Sequence, residues 1–300
     1  MTAAVPDGVI VAAKPRGMTS HDVVNRVRRI SGIRRIGHLG TLDPLAEGVL
    51  PLVVGQATRL APYLGGGDKE YLATIRFGYS TSTYDREGER TSGIVEPSFG
   101  AAELEAALGS FRGTIRQTPP PVSAKKVGGV PAYKLARKGR PPKLEPVEVT
   151  VHRLELREFL LPTAVLLVRC TAGTYVRAIA HELGQTLGCG GVLEELRRTV
   201  SGPFEQSQSH TLDALAELAV AGRLADAVLP CSGLLPEFPA EVIDALTETH
   251  IRQGRNFRIS PFRAQAGARF VKAVSHEGDL VAIGEAQAPN LYHPVVVFHK

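Results

Sequence analysis

The segment Gly37-His38-Leu39-Gly40-Thr41-Leu42-Asp43-Pro44-Leu45-Ala46-Glu47-Gly48 concentrates residue types that can do chemistry. Its three glycines permit tight turns and close approach of a ligand. Pro44 pushes Asp43 away from helical geometry. A carboxylate held on such a loop can serve as a nucleophile or a base. The alternative is an Asp-Pro turn whose carboxylate caps its own backbone. His38 either stacks on a base or satisfies the loop. Tyr175 and Arg177 sit where a buried strand meets the start of a helix. An arginine there can pair with a carboxylate and keep it ionised, or simply face solvent. Cys170, Cys189 and Cys231 are widely spaced with no CxxC, which excludes a disulfide scaffold and a zinc ribbon. Cys170 and Cys189 read as small buried hydrophobes, and His181 has no partner at ligand spacing, so no metal is expected.

Around that loop the charge is basic. Residues 14 to 35 hold seven Lys/Arg against one acid, Asp22. From Arg116 through Leu144 there are eight Lys/Arg and no acid, in a Pro- and Gly-rich stretch with Tyr133 at its middle. Loops of that length in compact domains tend to be functional or disordered. Taken without any relative, helix arginines and a basic insertion that grip phosphates, with His and Tyr to stack on unpaired bases, describe an RNA-binding protein. The bland alternative is a solvated helix face.

The elements that must position these groups follow from pattern. The chain has 300 residues, 43% of them apolar, and a formal charge of +5. That length suggests one or two domains with a real core. No apolar run approaches the ~20 residues that cross a bilayer, and the first residues lack a secretory layout, so a cytoplasmic address is expected. Gly8 to Ala13 reads as a strand, and Thr19-x-x-Asp22 as a capping box opening a helix. Lys69 to Tyr79 alternates as a strand with Tyr71 on its apolar face, where a core tyrosine is the default reading. Glu103 to Phe111 reads as a short helix, Val147 to Leu156 and Ala164 to Cys170 as strands, and the segment after Thr174 as a helix ending at Gly188. Val192 to Val200 reads as a second, shorter helix with Glu194, Glu195, Arg197 and Arg198 on a charged face and Leu196 inward. Three prolines between Pro230 and Pro239 mark a linker, followed by a small all-β module with His276 to Asp279 as a hairpin turn.

Several of these segments, in this order, resemble the TruB family of bacterial tRNA pseudouridine-55 synthases. They are Lys14-Pro-x-Gly-x-Thr-Ser20, Gly37-His38-x-Gly-Thr41-Leu42-Asp43-Pro44-x-Ala46-x-Gly48 and Lys69-x-Tyr71. Ser123-Ala124-x-Lys126, Ala132-Tyr133-x-x-Ala136-Arg137-x-Gly139, Gly173-Thr174-Tyr175-Val176-Arg177 and Leu196-Arg197-Arg198 complete the match. The resemblance implies an α+β pseudouridine synthase fold, a mixed and mostly antiparallel sheet with helices and RNA-gripping insertions. It implies a catalytic domain over 1–232 with a basic RNA-clamping insertion at 116–145, and a small PUA-like RNA-binding β domain over 238–300.

By the same resemblance Asp43 takes the position of the catalytic aspartate, Tyr71 of the tyrosine stacked on the target uracil and Arg177 of the arginine paired with the aspartate. His38, Tyr175 and Leu196 take substrate-contact positions, and Lys14, Lys125, Lys126, Tyr133, Arg137 and Arg197 are implied RNA contacts. The implied substrate is the T-arm stem-loop of tRNA. Uridine isomerisation breaks N1–C1′ and forms C5–C1′, so no cofactor is needed. Attack at C1′, attack at C6 and a glycal route all remain open for Asp43. The base that removes the C5 proton is also open, since a tyrosine with an ordinary pKa near 10 suits that task poorly. The chain departs from the family pattern at Leu39, Glu47, Val122 and Ser82, where Thr81-Ser82-Thr83 lacks a central Asp while Asp85 and Gly88 remain. Two rivals stand beside an active synthase: a non-catalytic RNA-binding protein or tRNA folding chaperone, and the guide-RNA-dependent branch that needs partner proteins. The basic insertion favours a stand-alone monomer with no obligatory protein or guide-RNA partner.

Overall fold

A computed structural model describes residues 5–123, 126–127, 130–131, 144–260 and 267–299, with 126–127 and 130–131 described as backbone only. The side chains of Lys125, Lys126, Tyr133 and Arg137, expected in the basic insertion, lie outside the described residues. The first part of the chain forms β1 (Gly8–Lys14), α1 (Ser20–Ser31), β2 (Ile36–His38), β3 (Glu47–Val54), α2 (Ala61–Leu64) and β4 (Lys69–Phe77). Helix α3 (Ala101–Leu108), β5 (Gly113–Gln117), β6 (Lys126–Val127), β7 (Val130–Pro131), β8 (Val147–Leu160) and β9 (Thr163–Cys170) follow. Then come α4 (Val176–Thr186), β10 (Gly191–Ser201), β11 (Phe204–Glu205), α5 (Leu212–Val220) and β12 (Val228–Pro230).

Ten of these strands form one sheet in the order β12-β1-β3-β10-β4-β9-β8-β5, with β2 added on β3 and β11 on β10. All its pairings are antiparallel except β3 with β10, which run parallel where Arg197 faces Glu47 and Arg198 faces Gly48. A second sheet, β13 (Ala240–Val242), β15 (Phe270–Val274), β16 (Leu280–Ala288), β17 (Leu291–Val297) and β14 (Phe257–Arg258), carries helix α6 (Ala245–Arg252).

Both faces of the large sheet near β1 and β3 are buried, and the period of two sorts their residues. Ile10, Ala12, Leu50, Leu52 and Val54 join the core under α1, α3, α4 and α5. Val9, Val11, Val49 and Val53 point the other way, into a second core with Leu280, Ile283, Val296 and Phe298 of the C-terminal sheet. The two units are therefore packed together by apolar burial. Gln56 adds a reciprocal pair of hydrogen bonds to the backbone of His299, at 2.7 and 2.9 Å, and Arg59 donates to the Val297 carbonyl.

Helix α1 starts as its sequence predicts. The Thr19 hydroxyl accepts from the Asp22 amide, and the Asp22 carboxylate accepts from the Thr19 amide. β4 also forms as expected, with Lys69, Tyr71, Ala73, Ile75 and Phe77 all buried on one face.

One element differs. Val192 to Val200 is no helix: it lies within β10, between β4 and β3. Register shifts between Leu193 and Glu195 and between Arg198 and Val200 break its alternation, so its leucines fall at spacings that imitate a helix. The consequence is large for the site, because a strand in the sheet centre delivers Leu196 and Arg198 inward. Gly48 makes that placement possible. Its φ is +104°, and a Cβ there would lie 2.3 Å from the Arg198 carbonyl oxygen. Gly48→Ala should therefore destabilise the fold by about 3 kcal/mol, from strain and overpacking. Urea unfolding reads this as a lower midpoint at unchanged slope, and an unmoved midpoint would mean that β3 and β10 can separate freely.

Candidate active site

Asp43 sits between β2 and β3 on a loop that is fixed from beneath. The Ser20 hydroxyl, at the start of α1, accepts from the Leu42 amide at 2.8 Å and donates to the Leu42 carbonyl at 3.0 Å. The Lys14 ammonium, at the end of β1, donates to the carbonyls of Ala46 at 2.6 Å, Pro15 at 2.9 Å and Pro44 at 3.5 Å. Lys14 is 1% exposed. That placement makes it a support of the Asp43 loop and not a surface contact for RNA, a correction to the role implied by resemblance. Its burial lowers its pKa to about 8.

Arg177 lies in the first turn of α4, where a cation opposes the helix dipole and needs carboxylates nearby. It has two. Its Nε lies 3.0 Å from Asp43 Oδ2, and its Nη1 lies 3.3 Å from Asp85 Oδ2. The Nε–Asp43 contact is an ion pair without the alignment of a hydrogen bond. Nη1 also donates to the Thr83 carbonyl at 3.0 Å and Nη2 to that of Val122 at 2.9 Å. Asp85 is buried, and its Oδ1 accepts from the Thr83 hydroxyl at 2.6 Å and the Glu87 amide at 3.1 Å. The preceding residue, Tyr84, has a φ of +65°, with its ring stacked 3.9 Å from that of His181 on α4. The loop that carries Asp85 is thus clipped onto the helix that carries Arg177.

A cavity of about 270 Å³ opens beside this ion pair, and its walls include Asp43, Tyr71, Tyr175, Arg177, Leu196 and Arg198. Tyr71 is buried, and burial raises its hydroxyl above the ordinary phenol value, so it carries its proton at neutral pH. The Arg198 guanidinium lies beside it and opposes that rise. Arg198 is 1% exposed and donates from Nε to the Val49 carbonyl at 2.8 Å and from Nη2 to the Gly40 carbonyl at 3.0 Å. It ties β10 to β3 and to the Asp43 loop. Tyr175 caps the start of α4, and the side chain of Gln117 on β5 holds its amide and carbonyl at 2.7 and 3.0 Å.

Of the residues singled out from sequence, Asp43, Tyr71, Arg177, Tyr175 and Leu196 meet at this cavity. His38 does not line it: it lies on β2, partly buried, and burial lowers its pKa. Arg197 points away from it and pairs with Glu47 at 2.7 Å. Asp85 and Arg198 are the functional residues that sequence reasoning missed. The retained Asp85-x-x-Gly88 and the doubled Arg197-Arg198 were the available signals.

A mostly antiparallel sheet with an aspartate–arginine pair over a base-sized cavity has clear counterparts. Residues 28–176 match the TruB family pseudouridylate synthase (N terminal domain), and residues 177–235 match the tRNA pseudouridylate synthase B C-terminal domain. The class defined by fold and site is therefore the pseudouridylate synthases. The tRNA pseudouridine synthase B of Solibacter usitatus is 55% identical over 291 residues, covering 97% of this chain and 99% of that one. That of a Synechococcus is 42% identical over 297 residues, with 98% of each chain covered. Among solved structures, a chain of a Cbf5–Nop10–Gar1 complex superposes with a TM-score of 0.74 at 26% identity, covering 99% of this chain and 85% of that one. The chain belongs to the TruB family. No helix among the described residues is long and apolar enough to cross a membrane.

Proposed function

We propose that this chain is a tRNA pseudouridine synthase that isomerises uridine 55 in the T-loop, acting alone, as a monomer and in the cytoplasm. The observation that carries the reading is the Asp43–Arg177 ion pair on the wall of the cavity that Tyr71 also lines. The target uridine is folded inside its loop, so it must be flipped out, with unstacking on the order of a few kcal/mol. Tyr71 and Leu196 offer the flipped base an apolar slot. Arg177 holds the Asp43 carboxylate in its charged form and fixes its direction. Asp43 then acts as the nucleophile that assists departure of the uracil from C1′, and the freed base turns and rejoins through C5. His38 fills the stack that the flipped base vacates.

The remaining assignments follow from the same reading. Residues 1–232 do the chemistry, and 238–300 form a PUA-like unit that holds RNA. The insertion at 116–145 clamps the T-arm through Lys125, Lys126, Tyr133 and Arg137, with Arg197 as a further RNA contact outside the cavity. Because this basic insertion provides its own grip, no guide RNA or protein partner is required. Changing Lys125, Lys126, Arg137 and Lys138 to Gln should weaken tRNA binding and flatten its salt dependence, by roughly 0.7–0.9 in log–log slope for each phosphate no longer neutralised. An unchanged slope would place the clamp elsewhere.

The deciding experiment incubates the protein with unmodified tRNA tritiated at uracil C5, in EDTA and without cofactor. Tritium release, with a carbodiimide-blocked primer-extension stop at position 55, is the expected result. Tight binding without release would instead identify an RNA-binding chaperone, or an enzyme lacking a partner.

A further inference from the structure

Lys69 is the charged group in the cavity that this reading leaves unused. It opens β4 two residues before Tyr71, on the same face, and is 5% exposed. Its ammonium has three donors to place, yet its hydrogen bonding among the described residues is one long approach, 3.5 Å, to the Gly65 carbonyl. The neighbouring Asp68 carboxylate is engaged elsewhere, at 3.3 Å from His152 and 3.8 Å from Arg169. Arg198 is a neighbouring cation, with its Nη1 3.4 Å and the Lys69 Cε 3.6 Å from where Gly40 would carry a Cβ. Two cations thus share the floor beneath the Asp43 loop, both beside Gly40. A buried cation with no ion pair and one long hydrogen bond among the described residues is unfavourable, so such a group in a cleft points to a function that supplies a further partner.

Depth decides what it meets. The Asp43 side chain is 41% exposed and stands near the mouth, whereas Lys69, Tyr71 and Arg198 lie at the floor. A nucleotide entering base-first puts C1′ level with Asp43 and its uracil on the floor, while its phosphates stay outside. Arg198 directs two of its five N–H donors to backbone carbonyls. Lys69 has donors to spare.

Resting on the reading that Asp43 acts on a flipped uridine, we propose that Lys69 receives the negative charge of the departing uracil. When N1–C1′ breaks, its electron pair passes to the uracil and spreads over N1, O2 and O4. The Lys69 ammonium donates a hydrogen bond to a uracil carbonyl oxygen and keeps its own proton throughout. An electron pair of the uracil then forms the C5–C1′ bond, the C5 proton is lost to water, and N1 takes up a proton from water, so the product is an isomer of the substrate.

Burial first, and Arg198 second, lower Lys69 to about 8, against the opposing pull of Asp68 and Cys170. Cys170 faces Lys69 across the β4–β9 ladder, and burial pushes its thiol up to about 11, so it stays neutral through this range. Tyr71 stays protonated as well, since burial raises it. The other charged groups on the cavity wall are Asp43 and Arg177, paired with each other.

The test measures tritium release by wild type, Lys69→Met and Lys69→Arg between about pH 6 and 10. Lys69→Met should lower kcat roughly 100-fold or more, with KM within about three-fold of wild type. Its Tm should not fall, because an apolar side chain replaces a buried unpaired charge. Wild-type kcat/KM should decline above about pH 8. Lys69→Arg should recover part of the activity and lose that decline, because a guanidinium stays protonated. Wild-type kcat in Lys69→Met would overturn the proposal, and so would a rise in KM alone, which would assign Lys69 to a phosphodiester. A decline that persists in Lys69→Arg would assign it to Lys14 and also overturn the proposal. If Lys69→Met fails to fold, the Lys69→Arg profile decides. Absence of release by wild type would overturn the reaction reading itself and this proposal with it.

Discussion

Asp43→Asn should abolish turnover, by roughly 10⁴-fold or more, while tRNA affinity stays within several-fold of wild type. The substitution keeps the shape of the side chain and removes only its charge. The loop that carries it is held by Ser20 and Lys14, neither of which bonds the Asp43 side chain, so its backbone has no reason to move. Arg177 keeps a carboxylate partner in Asp85, so the variant leaves no buried charge alone. The measurements are single-turnover tritium release and filter binding. Affinity falling in step with activity would show that Asp43 grips RNA instead of acting on it.

Arg177→Met should have the largest effect on stability, about 3–5 kcal/mol, because removing one partner of a buried ion pair strands the other. The stranded group is Asp85, whose side chain is 7% exposed. The carbonyls of Thr83 and Val122 lose their donors as well. Turnover should vanish together with the charge facing Asp43. Arg177→Lys should rescue little, since one ammonium cannot span two carboxylates and two carbonyls as a guanidinium does. Adding Asp85→Asn to Arg177→Met should restore part of the stability and none of the activity. Urea unfolding of the single and double variants checks this, and a loss below about 1 kcal/mol would mean that water reaches Asp85 in the folded state.

The elements read correctly from sequence were those with an intact period. β4 alternates without interruption, and Thr19 and Asp22 mark the start of α1 by local hydrogen bonding alone. β10 was illegible because its irregular register turns a period of two into spacings of three and four. β3 was hidden by Pro51, which lacks an amide for the ladder and reads as a break in a strand. Asp43, Tyr71 and Arg177 were identifiable by resemblance, yet their charge balance was not. The second carboxylate, Asp85, reaches Arg177 across 92 residues of chain, and nothing local announces that contact. Arg198 reads as part of a charged helix face, and its burial follows from the central position of β10 in the sheet, which the sequence does not announce. Lys14 takes an RNA-contact position by resemblance, and the sequence does not show that two of its carbonyl partners lie about thirty residues further along the chain.

The pinning of the Asp43 loop bears on which RNAs are chosen. Ser20 fixes it on one side and Lys14 on the other, so the carboxylate is in place before any substrate arrives. An immobile aspartate has nothing to gain from closing over a base, and the work of opening falls wholly on the RNA. Selection then becomes a matter of how readily a uridine swings outward. RNAs whose target base is weakly stacked should react fastest, and tightening the RNA fold around that base should slow the reaction even when every nucleotide that touches the protein is unchanged.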